Sequence, residues 1–84
     1  MSDFKTKRTP VEMLAEILEL CQKPTAKTQI MRRTNLSYTA LQRFMTDLQK
    51  HGLLMLGDGT KKYVTTEKGL EFIRRYRELQ DLLR

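Results

Sequence analysis

The 84-residue sequence predicts one small, mostly α-helical domain with a β-hairpin, in the order helix, helix, helix, strand, strand, helix. Three observations predict it. Apolar side chains recur at three- and four-residue spacing in several stretches, the mark of amphipathic helices. Two short strand-like runs flank the turn Gly57-Asp58-Gly59-Thr60. Each helical stretch is preceded by Ser or Thr, residues whose hydroxyl accepts from the free N–H groups of a first turn.

The first helix, residues 10–22, opens on Thr9-Pro10-Val11-Glu12, a capping-box sequence with Pro at the first helical position. Its apolar stripe is Val11, Leu14, Ile17, Leu18 and Cys21, widened by Met13 and Leu20. So broad an arc implies contact from two sides. Lys23-Pro24 ends this helix, and Thr25 is the expected cap of a second, residues 26–33, with Ile30 and Met31 inward. After the turn Thr34-Asn35-Leu36, Ser37 caps a third helix, residues 37–51, stopped by Gly52. Leu41, Phe44, Met45 and Leu48 share one side of it, flanked by Tyr38 and Ala40, with Tyr38 read as a ring at the core's edge. The opposite side carries Thr39, Gln42, Arg43, Thr46 and Lys50, with Asp47 at the margin. The hairpin strands are 53–56 and 61–65, the first assigned by position because it holds no β-branched residue. Thr66 caps the last helix, residues 67–84, whose Phe72, Tyr76, Leu79 and Leu83 repeat at four, three and four.

Charge narrows the function. Sixteen Lys and Arg against ten Asp and Glu give a net +6 and suit a polyanionic partner. Between Glu19 and Asp47 there is no acidic residue, yet Lys23, Lys27, Arg32, Arg33 and Arg43 all lie there. Glu12, Glu16 and Glu19 group on one face of the first helix, read as a solvated stripe pointing away from the partner. No apolar run approaches the roughly 20 residues of a membrane span. With one His and one Cys there is no soft-ligand set for zinc. No Gly-rich phosphate loop is present, and no nucleophile has an evident base, so the chain reads as a non-enzyme without cofactor or small-molecule ligand. Cys21 reads as a small buried hydrophobe, and the lone thiol fits the cytoplasm.

Three helices followed by a hairpin make the winged helix-turn-helix plan, in which the second helix of the pair enters the major groove of DNA. Those helices are 26–33 and 37–51. Arg43 suits guanine O6 and N7, and Gln42 suits adenine N6 and N7. Thr39 and Thr46 reach phosphate or a thymine methyl, and Lys27, Arg32, Arg33 and Lys50 are placed for phosphate. Lys61 and Lys62 belong to the wing, where Asp58 at the tip is an awkward neighbour for phosphate. The apolar ridge of the last helix needs cover. It either folds onto Met13, Ile17 and Leu20 or meets a second chain, and the reading adopted is a homodimer through Met13, Ile17, Leu20, Phe72, Tyr76, Leu79 and Leu83.

Thr28-Gln29-Ile30-Met31, Asn35-Leu36-Ser37-Tyr38 and Tyr63-Val64-Thr65-Thr66-Glu67-Lys68-Gly69 resemble the archaeal winged-helix DNA-binding proteins of about ten kilodaltons, a size this 9.9 kDa chain shares. The resemblance covers roughly residues 10–80. It implies a dimer joined through a long C-terminal helix in an antiparallel coiled coil, and chromatin-associated or regulatory work on double-stranded DNA. Arg32, Arg33, Gln42 and Arg43 are the matching DNA-contact positions. Here the last helix stops at Arg84, little more than two heptads on, which favours a compact helical interface over a long rod.

The organisation expected is therefore a flexible basic arm at 1–8, a winged-helix domain at 9–66 and a dimerisation helix at 67–84. The function expected is sequence-specific DNA binding and transcriptional regulation in the cytoplasm, at the nucleoid. The alternatives are a low-specificity architectural chromatin protein and a winged-helix protein-interaction module.

Overall fold

The computed structural model describes residues 8–84, so the expected arm lies outside the described residues except for Arg8. Helix α1 spans Pro10–Leu20 and begins with the full capping box. Glu12 N–H donates to Thr9 Oγ1 at 3.1 Å, and Thr9 N–H donates to the Glu12 carboxylate at 2.8 Å. Two of the helix's orphan donors are thereby met.

The chain then does something the periodicity did not announce. Thr25–Ala26 form a two-residue strand, β1, before helix α2, Lys27–Thr34. Thr25 does not cap α2. Its hydroxyl lies 2.9 Å from Leu20 O and 2.7 Å from Lys23 O, closing the end of α1 instead. Ala26 occupies the cap position with no side-chain bond, because its extended backbone belongs to the sheet. Asn35 ends α2 in the left-handed region, φ 59°, a conformation that Asn tolerates well. Helix α3, Tyr38–Lys50, starts at Ser37 as expected, with Ala40 N–H donating to Ser37 Oγ at 3.1 Å.

Strands β2, Leu54–Leu56, and β3, Lys62–Thr65, form the hairpin. The sheet is antiparallel and three-stranded, ordered β1-β3-β2, with Thr25 opposite Tyr63 and Leu54 opposite Thr65. Helix α4 follows at once, Glu67–Leu82, capped by Thr66.

The four helices and β2 contribute to one core of Ile17, Leu18, Cys21, Ile30, Leu41, Met45, Leu48, Leu53, Leu54 and Ile73, with Tyr63 of β3 packed against it. Burying each large aliphatic contributes about 1.5–3 kcal/mol. Burial also pushes the Cys21 thiol up to about 12, so it stays protonated and behaves as a hydrophobe. The inward arc of α1 is rotated from the expected stripe: Met13 and Ala15 are buried, while Val11 is 46% exposed. Tyr38, expected at the core's edge, is 62% exposed because it occupies the first position of α3.

Two sets of hydrogen bonds lock the hairpin and α4 onto the helices. Thr65 N–H donates to Cys21 O at 2.8 Å and its hydroxyl to Leu18 O at 2.6 Å, meeting carbonyls left free at the end of α1. Thr66 donates its hydroxyl to Gly52 O at 2.6 Å, and the Lys68 ammonium donates to His51 O at 2.8 Å. Gly52 itself holds φ 74°, the left-handed stop that lets α3 end there. Among the described residues, no buried side-chain N or O lacks a partner.

Candidate nucleic-acid interface

Helix α3 packs Leu41, Met45 and Leu48 inward, which turns the other side of the wheel to solvent. Thr39, Gln42, Arg43, Thr46 and Lys50 are all exposed. Arg32 and Arg33 are exposed in the last turn of α2, and Lys61 and Lys62 are exposed at the entry to β3. Lys27, at the start of α2, is half-buried and reaches across to α3.

Ion pairing divides the cations into two groups. Arg8, Arg74, Arg75, Arg77 and Arg84 each have a carboxylate partner. Among the described residues no ion pair engages Lys27, Arg32, Arg33, Arg43, Lys50, Lys61 or Lys62. The paired cations are Arg8 and four arginines on α4 or just past its end, while the unpaired ones among the described residues are Lys23, Lys68 of α4 and the cations of α2, α3 and the hairpin. A guanidinium with no internal carboxylate is free to give its forked donors to a phosphate or a guanine edge.

The acids of α1 are accounted for differently than expected. They are not a merely solvated stripe. Glu12 completes the cap, Glu16 accepts from Arg8 at 2.6 Å, and Glu19 accepts from Arg77 at 3.1 Å. Arg8 also donates to Thr34 O at 2.6 Å, so it is tied to α1 and the end of α2 and is not part of a loose arm. Being exposed pairs, they add little stability, but they neutralise Glu16 with Arg8 and Glu19 with Arg77 of α4.

The structure brings together one group that sequence spacing kept apart. Lys27 Nζ sits 4.5 Å from the centroid of the Tyr38 ring and 3.5 Å from its hydroxyl, and donates to Gln42 Oε1. Gln42 Nε2 lies 3.5 Å from Thr46 Oγ1. The amide oxygen that adenine N6 would need is therefore already engaged.

The expected dimer residues separate. Met13 and Ile17 are 4% and 0% exposed in the single chain, so they serve its own core and offer a partner nothing. Ile73 is buried as well, which makes the first half of α4 part of the same core. Leu20, Phe72 and Tyr76 are half-buried, while Leu79 and Leu83 are 51% and 79% exposed. Burial, followed by the Glu12 and Glu19 carboxylates, raises the Tyr76 phenol above its ordinary value, keeping it neutral. Val11, Phe72, Tyr76, Leu79 and Leu83 line a shallow apolar groove between α1 and α4, and Leu20, at the far end of α1, lies outside it. Val11 had no periodic signal separating it from the inward stripe, and only the rotation of α1 puts it there.

The order of elements, the α2–turn–α3 pair and the hairpin after it are those of a winged helix. The sequence pattern of the winged helix-turn-helix family matches residues 7–84. The chain belongs to that family. No curated protein matches it. In winged-helix terms α3 is the recognition helix, α2 its support and β2–β3 the wing. The winged-helix fold points to DNA as the partner and is typical of binding domains, not of enzymes. Among the described residues no helix is long and apolar enough to cross a membrane.

Proposed function

We propose that the protein binds double-stranded DNA sequence-specifically as a homodimer and regulates transcription at the nucleoid. The observation that supports this best is the exposed face of α3, bordered by cations with no carboxylate of their own among the described residues. On this reading Arg43 reads a base edge in the major groove, and Thr39 and Thr46 contact phosphate or a thymine methyl. Arg32, Arg33 and Lys50 fix position on phosphates, and Lys61 and Lys62 bring the wing to the backbone. The groove of Val11, Phe72, Tyr76, Leu79 and Leu83 meets its symmetry mate in the dimer.

A salt titration tests the electrostatic part. If about six of the dimer's phosphate-facing cations each neutralise a phosphate, log K falls with log salt at a slope near −5. Tight binding indifferent to salt would remove the DNA reading.

The base-reading part has its own test. Arg43→Ala is expected to relax preference at one base step, with a loss of about 1–3 kcal/mol confined to cognate sequences. Arg33→Ala is expected to weaken all duplexes alike and to flatten the salt slope by about one. Equal effects of both changes on every sequence would favour the architectural reading instead. The number of uncompensated cations at phosphate-facing positions is what favours that second reading at all.

A further inference from the structure

Lys27 of α2 meets Tyr38 and Gln42 of α3 in one cluster. We infer that Lys27 and Gln42 act as one paired, donor-only reader that selects guanine, with Tyr38 as its positioning residue. This rests on the proposal that α3 enters a DNA groove.

The chemistry begins with what each group can offer. A lysine ammonium has three donors and no acceptor, so the Gln42 atom that faces it must be the carbonyl oxygen. That contact fixes the amide's orientation and turns its NH2 toward Thr46. What the pair can still offer a ligand is donors alone: an ammonium proton not given to Gln42 or Tyr38 and the amide proton not turned to Thr46. Guanine offers two acceptors in the major groove, O6 and N7, and takes donors alone. Adenine requires one acceptor for its N6 amino group, and the bidentate Gln–adenine pairing uses the amide oxygen for it. A second lone pair on Oε1 does not rescue that pairing, because adenine N6 would have to lie beside the ammonium, donor against donor.

Tyr38 makes the arrangement persistent. A free lysine on a protein surface samples many rotamers and prefers phosphate. Here the ammonium is held over the ring face, 4.5 Å from its centroid, and is 3.5 Å from the hydroxyl. A cation over an aromatic face gains about 0.5–1 kcal/mol at an exposed site, enough to bias one rotamer over several. Because Tyr38 is the first residue of α3 and 62% exposed, it holds Lys27 at the end of the helix that meets base edges. The phosphate role first given to Lys27 and the adenine role first given to Gln42 are replaced together.

The experiment is site selection from random duplex DNA with the full chain, run in parallel for the unaltered protein, Lys27→Met, Gln42→Ala and Tyr38→Leu. Thermal melting first confirms that each variant folds. The unaltered protein is expected to prefer guanine over adenine about tenfold at one step, the scale of a good bidentate contact. Gln42→Ala is expected to lose preference at that same step. Lys27→Met frees the amide oxygen, and the step is expected to move from guanine toward adenine while duplex binding persists. Tyr38→Leu is expected to give a partial form of the same shift.

Three results would overturn the inference. Adenine selected by the unaltered protein at the step that Gln42→Ala relaxes would return Gln42 to an independent reader. Lys27→Met weakening every duplex evenly, with selected bases unchanged, would make Lys27 a phosphate contact. In both cases the DNA reading survives. No duplex binding by the unaltered protein at any salt would remove that parent reading and this one with it.

Discussion

Replacing Gly69 by Ala is expected to lower stability by about 2–3 kcal/mol, because a clash with backbone exceeds the usual overpacking cost of about 1–3 kcal/mol and the better helix former returns only about 1. A Cβ at this position would stand 2.3 Å from Leu53 O and 2.4 Å from Thr65 Cγ2. One neighbour is backbone at the entry to β2 and the other is the methyl of Thr65, whose hydroxyl and backbone N–H are both hydrogen-bonded, so neither yields cheaply. Helix α4 must back away from the sheet instead. That movement strains the bonds joining Thr66 to Gly52 and Lys68 to His51. The melting temperature is expected to fall by roughly 10–20 °C for a domain of this size. A variant that melts within about 2 °C of the parent, less than one kcal/mol would produce, would show that α4 does not press on Leu53 as described.

Leu79→Glu is expected to dissolve the proposed dimer and leave the fold intact. Leu79 is 51% exposed and lies on the second half of α4, beyond the buried Ile73, so its change touches little of the core. Covering its free half is worth about 1 kcal/mol, and desolvating a carboxylate in its place costs at least about as much. A two-fold interface suffers the loss twice, so dimerisation should weaken about a thousandfold. Sedimentation would report monomers at concentrations where the parent is dimeric, with unchanged melting of the monomer. A parent chain already monomeric at high concentration would remove the dimer from the proposal.

Much of this molecule was written in short local signals. Thr9, Ser37 and Thr66 all cap the helices they precede, because a capping hydroxyl depends only on the next three residues. Thr25 failed as a cap for a non-local reason. Its backbone was taken by pairing with Tyr63, and its hydroxyl by the end of α1. A two-residue strand has no period to detect, so β1 could not be read at all. The rotation of α1 was ambiguous because its apolar arc is broad, and only packing decided that Met13 is inside and Val11 outside.

The face of α3 was legible because a 3.6-residue period sorts a 13-residue helix sharply. What the wheel could not show was company. Lys27 and Gln42 are fifteen residues apart and meet only because α2 starts beside the first turns of α3. The partners of Glu16 and Glu19 were hidden for the same reason, since Arg8 and Arg77 reach them across the fold. Gly69 entered the sequence reading only as the end of the Thr66-Glu67-Lys68-Gly69 run, and why nothing larger fits there needed the position of Leu53 O.

The small strand at Thr25–Ala26 has a mechanical consequence. It bonds the chain entering α2 to the same β3 strand that forms one arm of the hairpin, with Ala26 opposite Lys62. The start of α2 and the hairpin are thereby tied to each other, and on the DNA reading proposed above α3 and the hairpin tip would act like the jaws of a caliper. Groove width along a duplex varies with sequence. A span set by the protein and not adjusted on contact would accept some local DNA shapes and reject others, even at base pairs that no side chain touches.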